Sequence, residues 1–175
     1  MERYQTKINT KNIELAWAFK VSEDMCDNPQ HYEDYLKYNA LLDLNNGHGV
    51  TYLFIEADDS NNEKIIGYIT LRMSSLIKDV DGCKKHGYPA LEISELAVHK
   101  EYVNNKIGTI MVMSAINTAN ELNEVSSVKY IVLCADPKAE GFYKKLKFDC
   151  INNCFEEIPR EHFNENCVPM YMKLR

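Results

Sequence analysis

Leu91-Glu92-Ile93-Ser94-Glu95-Leu96-Ala97-Val98-His99 is the stretch on which the fold turns. It is an apolar strand carrying two carboxylates. It runs into a polar turn, and Ile107, Ile110, Met111, Ala115, Thr118 and Leu122 then fall at helical spacing. An anion at the start of a helix needs backbone N–H groups aimed at it and room for close approach. Gly108 supplies the room, and Asn104 and Asn105 tolerate left-handed backbone better than most residues. Lys106 adds a charge suited to phosphate. One helix and one strand later, Ala139-Glu140-Gly141-Phe142-Tyr143 sets a tyrosine on a second helix. A phosphate-cradling turn and a placed tyrosine together point to a pyrophosphate-bearing cofactor with chemistry at one end.

Outward from this stretch the chain reads as one domain over residues 1–175, without repeats or linkers. Tyr4–Asn9 alternates like a strand. Ile13–Val21 reads as a helix with Thr10 or Asn12 as its cap. Asn28-Pro29 opens another helix, which carries Tyr32, Tyr35 and Leu36 on one face and stops near Asn45-Asn46-Gly47. Val50–Ala57 and Ile65–Ile77 form a hairpin around the turn Asp58–Asn62, and Lys78–Pro89 reads as a loop. Ala90–Val98 is a strand, and Val128–Ala135 is one covered on both faces. Lys138–Lys147 is a short helix, and Cys150–Phe155 and Val168–Leu174 close the sheet. The order β-α-α-β-β-β-α-β-α-β-β implies a mixed α/β sheet rather than a doubly wound one.

With 20 basic and 26 acidic residues the formal charge is −6, which gives no overall attraction to nucleic acid or to an anionic membrane. The lysine clusters Lys144/Lys145/Lys147 and Lys84/Lys85 read as solvated faces. No stretch approaches the ~18 apolar residues of a membrane helix. Met1–Gln5 lacks the apolar core of a secretory signal. The six cysteines sit mostly in apolar segments, which suits reduced thiols and a cytoplasmic protein. Cys150, Cys154, His162 and Cys167 fit no common zinc spacing, so no metal is expected.

The order of elements and two motifs resemble the GNAT family of acetyl-CoA-dependent N-acetyltransferases. The family's phosphate turn, Arg/Gln-x-x-Gly-x-Gly/Ala, falls on Val103-Asn104-Asn105-Lys106-Ile107-Gly108. Gly108 matches, Val103 stands for the Arg or Gln, and Lys106 for the first glycine. A second family signature, Asn-x-x-Ala-x-x-Phe-Tyr-x-x-x-Gly-Phe, falls on Asp136 to Phe148. Ala139, Phe142, Tyr143 and Phe148 match, while Asp136 replaces Asn and Lys147 replaces Gly. Val168–Leu174 looks like the family's last strand.

The resemblance implies the GNAT-like acyl-CoA N-acyltransferase fold, a mixed and mostly antiparallel sheet flanked by about four helices. It implies acetyl-CoA as cosubstrate, with pyrophosphate contacts largely from the backbone of Val103, Asn104, Asn105, Lys106, Ile107, Gly108 and Thr109. By the same resemblance Leu96, Ala97 and Val98 pair with the pantetheine arm, and an N–H there polarises the thioester carbonyl. Asp136, Ala139 and Phe142 complete the cofactor set, although Asp136 equally suits a helix cap and Phe142 the core. Homodimers are common in the family.

Acetyl transfer requires a deprotonated amine, a stabilised oxyanion and a protonated leaving thiolate. An alkylammonium titrates near ~10.4, so a base must take its proton. Glu92 and Glu95 are the candidates; Glu92 falls in register with the glutamate base of the family's histone acetyltransferases, and a structural ion pair is the other reading of either. Tyr143 corresponds to the family's general acid beside the cofactor sulfur; packing under the sheet is its other reading. His48, His86 and His99 read as surface histidines.

The acceptor segments by resemblance are Val21–Asp34 and Glu156–Asn166, both acidic, which suits a cationic amine on a small molecule or peptide or merely a solvated loop. The expected activity is N-acetylation of a primary amine by direct transfer in a ternary complex. The alternatives are a non-catalytic acyl-CoA-binding module and a toxin-like aminoacyl-tRNA acetyltransferase. Gly67–Ser75 resembles the toxin branch, and the net charge argues against a nucleic-acid partner.

Overall fold

A computed structural model describes residues 1–80, 84–151 and 166–175. Seven strands form one mixed sheet in the order β1-β2-β3-β4-β5-β7-β6. They are β1 Glu2–Lys7, β2 Val50–Ala57, β3 Glu63–Val80, β4 Lys84–Val98, β5 Tyr130–Ala135, β6 Asp149–Cys150 and β7 Val168–Lys173. The α-helices are α1 Pro29–Asp34, α2 Ala40–Asn46, α3 Ile107–Ser126 and α4 Glu140–Lys145. The mixed α/β architecture is therefore the one expected. The chain forms two compact units, Met1–Arg72 with Ser94–Val112, and Met73–Ile93 with Met113–Arg175.

In the first unit, β1 pairs antiparallel with β2 and β2 with β3, with a bulge between Phe54 and Ile55. The core gathers Ile8, Phe19, Leu36, Leu53, Ile55, Ile65, Tyr68 and Ala97. The helix read from Asn28-Pro29 is present. Asn28 caps it by accepting from His31 N–H at 3.2 Å, and Gly47 ends it at φ 72°. A π-helical turn at Tyr35–Asn39 joins α1 to α2 and buries Tyr35 and Leu36. β3 lies close against α3 at Gly67, where a Cβ would stand 3.1 Å from Ile107 and Met111 side-chain atoms. A larger residue there would require these side chains to shift.

In the second unit, β4 runs parallel to β5 from Ala90↔Tyr130 to Ile93↔Leu133, and β5 runs antiparallel to β7. Ile131, Val132 and Leu133 are buried, as expected of a strand flanked on both sides. Leu76, Ala90 and Val132 form a core cluster with Tyr130, Ile151 and Tyr171 packed on it.

Five expectations are corrected. Lys78–Pro89 is no simple loop, because β3 runs to Val80 and β4 begins at Lys84; strand pairing overrides local composition at residues 78–80 and 84–89. The helix at Ile13–Val21 is a shorter 3-10 helix, Ile13–Ala18. Asn12 does not cap it, because its Oδ1 accepts from Asn9 N–H instead. Cys134 is no free thiol: it forms a disulfide with Cys167. Cys134 lies opposite Pro169, two residues from Cys167, so strand register brings the sulfurs together with the Cα atoms 5.5 Å apart. His99 is not a surface residue but is 2% exposed. The expected strand Cys150–Phe155 is described only as β6. Residues 152–155, most of Glu156–Asn166, and the metal candidates Cys154 and His162 lie outside the described residues.

Candidate active site

The turn after β4 is built by local hydrogen bonds. Tyr102 N–H donates to His99 O at 2.8 Å, and Asn105 N–H donates to Tyr102 O at 3.2 Å. The backbone then turns left-handed twice, at Asn104 (φ 66°) and Lys106 (φ 62°). Lys106 occupies the position where the resembled motif has glycine, and it adopts the conformation glycine would adopt. Holding a β-carbon there costs ~1–2 kcal/mol. Asn104, Asn105 and Lys106 are exposed, whereas Val103, Gly108 and Thr109 are half-buried and Ile107 is buried. Ile107, Gly108 and Thr109 open the 20-residue α3, where N–H groups have no partner within the helix. The turn thus offers oriented donors at the positive end of a helix dipole.

His99 anchors this turn from below. Its Nδ1 accepts from Glu101 N–H at 3.3 Å, and its ring packs edge-on to Phe19 and Tyr102. Burial, reinforced by the Lys64 charge, holds its pKa below the ordinary 6.5. It is a structural histidine whose surroundings favour the neutral form.

The two glutamates of β4 meet different surroundings. Glu92, in the second unit, is 1% exposed and lies opposite Val132. Glu95, in the first unit, is half-buried, and its Oε1 lies 3.1 Å from His31 Nε2. His31 is a residue that sequence reasoning missed. Its neighbours in sequence gave no sign that a helix would carry it to β4. Leu96 and Val98 are half-buried and Ala97 is buried, all in the first unit.

The second unit holds Asp136, Ala139, Phe142 and Tyr143. Asp136 caps the 3-10 turn Pro137–Ala139 by accepting from Lys138 N–H at 3.0 Å. Phe142 and Ala139 are half-buried. Tyr143 is 6% exposed, with its ring between Phe142 and Phe148 at 5.0 and 5.6 Å. α4 ends in a Schellman motif. Phe148 N–H donates to Tyr143 O at 3.1 Å, Lys147 N–H donates to Lys144 O at 3.0 Å, and Lys147 sits at φ 71°. The Phe148 contact with Tyr143 is the apolar contact that accompanies such caps. The Phe-Tyr-x-x-x-Gly-Phe pattern is thus a helix-end device that fixes the tyrosine, and Lys147 fills its glycine position as Lys106 does in the turn.

Among the described residues no cluster of His, Cys, Asp or Glu is placed to hold a metal ion. No described helix is long and apolar enough to cross a membrane.

Residues 13–148 match the acetyltransferase (GNAT) family. Glucosamine 6-phosphate N-acetyltransferase of Schizosaccharomyces pombe is 33% identical over 95 residues, 54% of this chain and 77% of that protein. A tyrosine-to-phenylalanine mutant of KacT superimposes with a TM-score of 0.75 at 14% identity, covering 99% of this chain and 95% of that one. AtaT complexed with acetyl-methionyl-tRNAfMet gives 0.75 at 15% identity, covering 98% and 95%. A tyrosine-to-phenylalanine mutant of the AtaT toxin, bound to the C-terminus of its antitoxin AtaR and acetyl-CoA, gives 0.69 at 15% identity, covering 99% and 94%. At these identities the structural likeness shows the fold.

Proposed function

Because this chain belongs to the acetyltransferase (GNAT) family, we propose that it carries an acetyl group from acetyl-CoA to a primary amine of a small molecule, peptide or protein. The observation that carries the cofactor assignment is the backbone of the turn. Asn104 and Lys106 keep the left-handed conformation although the motif's glycine is gone. Pyrophosphate would be held by N–H groups of residues 103–109, for which side-chain identity matters little. Ser94–Val98 supports the pantetheine role: among the described residues the β4–β5 ladder is registered only to Ile93↔Leu133, while β4 continues to Val98. Backbone beyond the ladder is suited to pair with an extended ligand.

Tyr143 is the proposed general acid for the thiolate, set by its Schellman-capped helix; a phenol near ~10 protonates a thiolate near ~8.5 at modest cost. The deprotonation of the amine is proposed to draw on a carboxylate of β4, Glu92 or Glu95. Direct transfer is supported by the cysteines. Among the described free thiols Cys26 is buried, and the Cys150 thiol is pushed up by burial and the Glu140 carboxylate. A raised thiol is a poor nucleophile.

Calorimetric titration with acetyl-CoA, CoA and ATP tests the cofactor assignment. Binding of the first two and not of ATP is expected; no binding at millimolar acetyl-CoA would remove it. Thiol release is then followed with glucosamine 6-phosphate and with lysine-bearing peptides. Tyr143→Phe should lower kcat ~10²-fold or more with acetyl-CoA affinity unchanged. Unaltered turnover would take Tyr143 out of the mechanism. A second reading, an aminoacyl-tRNA acceptor, is favoured by the near-complete overlay on AtaT in its acetyl-methionyl-tRNA complex. The −6 charge weighs against it, and acetylation of charged tRNA by the purified protein decides it.

A further inference from the structure

We infer that His31, oriented by Glu95, is the group that takes the proton from the acceptor amine. The inference rests on the acetyl-transfer reading above and assigns the acid–base machinery of that site. It stands on geometry within the first unit. The first turn of α1 brings His31 Nε2 to 3.1 Å from Glu95 Oε1. Glu95 immediately precedes Leu96–Val98, the segment proposed to hold the thioester.

The turn that carries His31 is fixed at several points. Asn28 caps it through the His31 N–H, and Pro29 pre-sets its first residue. The His31 ring stands edge-on to Tyr32 at 5.2 Å. The Tyr32 carbonyl accepts from the hydroxyl of Tyr68 at 2.8 Å, and Tyr68 is fully buried on β3. The imidazole therefore cannot drift far from β4.

The exposures decide which partner faces a substrate. The carboxylate side chain is 14% exposed and the imidazole 38%. The imidazole is the more accessible partner and the carboxylate the more buried, which suits a base with its orienting group. An ionised carboxylate only accepts hydrogen bonds, so Nε2–H donates to it and Nδ1 keeps the lone pair. Nδ1 takes one proton from the ammonium and passes it to solvent. The freed nitrogen lone pair forms the C–N bond to the acetyl carbon and the C–S bond breaks. A second proton from the nitrogen finishes on the CoA sulfur.

The chemistry favours imidazole over a bare carboxylate. An ordinary carboxylate near ~4.3 is far weaker as a base toward an ammonium near ~10.4 than an imidazole near ~6.5. The surroundings strengthen the imidazole further. The hydrogen bond to Glu95 raises its pKa above 6.5 against the opposing effect of burial, helped by the charges of Glu95 and Asp34. The groups around the pair are Glu95 from β4, Asp34 and Tyr32 from α1, and Tyr68 from β3, with Tyr35 and Cys26 around Tyr68.

The test is a pH series of CoA-thiol release from acetyl-CoA, with glucosamine 6-phosphate and a lysine-bearing peptide as probe amines. Wild type, His31→Gln and Glu95→Gln are compared, with acetyl-CoA affinity and thermal unfolding measured on each. His31→Gln should lower kcat ~10²-fold or more and abolish the acidic limb of the profile. Glu95→Gln keeps a hydrogen-bond acceptor but removes the charge. It should move that limb, and the His31 imidazole titration followed by NMR, to lower pH. A merely structural pair would change unfolding and leave the limb in place, which would overturn the inference. If His31→Gln fails to fold, the position of the limb in Glu95→Gln decides alone. Wild type that releases no thiol with either amine overturns this inference together with the proposed function. Wild type that turns over while both variants keep its profile overturns this inference only.

Discussion

Two histidines of the first unit sit at the ends of the same argument and are driven in opposite directions. His31, in the first turn of α1, is half-exposed and hydrogen-bonded to a carboxylate, so its pKa rises. His99, at the end of β4, is 2% exposed among aromatic rings and near Lys64, so its pKa falls. One is kept ready to exchange a proton and the other is kept from carrying one. The residue type is the same; a paired charge acts on one and desolvation on the other.

The largest contrast should appear in catalysis. His31→Gln is expected to cost ~10²-fold in kcat with its folding free energy changed far less. A kcat within twofold of wild type would erase the functional half of the comparison. The next is in stability. His99→Ala removes the acceptor for the Glu101 N–H inside a buried site and should cost about 1–3 kcal/mol in urea unfolding. A loss under ~0.5 kcal/mol would show that the turn does not need its anchor.

The third expectation concerns pH. A raised folded-state pKa gives His31 a stabilising contribution that is fully present below 6.5 and is lost as pH rises through its folded value. A lowered one gives His99 a contribution present above 6.5 and lost as pH falls through its folded value. The two oppose each other on acidification. His31→Gln should therefore lack the gain in stability that wild type makes as pH falls from the raised His31 value toward 6.5, and His99→Ala should lose stability less steeply than wild type as pH drops below 6.5. Parallel curves in urea titrations at several pH values would break the comparison.

The smallest effect extends the same lesson to the backbone. Lys106→Gly relieves the left-handed strain but loosens the unfolded chain, so a net gain of at most ~1 kcal/mol is expected. Acetyl-CoA affinity should persist, with a weaker salt dependence. A large loss of affinity would mean that the lysine charge, and not the turn, holds the phosphates.

Much of the fold was legible. The helix from Pro29, with Asn28 before it and Gly47 after it, carried its own start and stop signals. The apolar run of β5 announced a strand buried on both faces. The turn and the tyrosine helix were legible as segments, because their Asn, Gly and aromatic positions follow local backbone rules. What was not legible depended on residues distant in sequence. Within the stretch read as a loop, β3 continues to Val80 and β4 begins at Lys84, so neighbouring strands and not local composition set those residues. Cys134 met Cys167 through the register of β5 on β7, 33 residues on. Surface character assigned to His99 failed because nothing in its neighbours reveals that Phe19 covers it.

The sequence alone determined the order of elements, the family to which the chain belongs, and the segments proposed to hold the cofactor and the general acid. These rest on periodicity, caps and turns, which act over a few residues. Only the tertiary structure decided that Glu95 meets an imidazole, that His31 is that imidazole, and that Lys106 and Lys147 adopt a left-handed conformation. Hydrogen bonds between residues 64 positions apart, desolvation and backbone strain are properties of the packed chain. No local pattern encodes them.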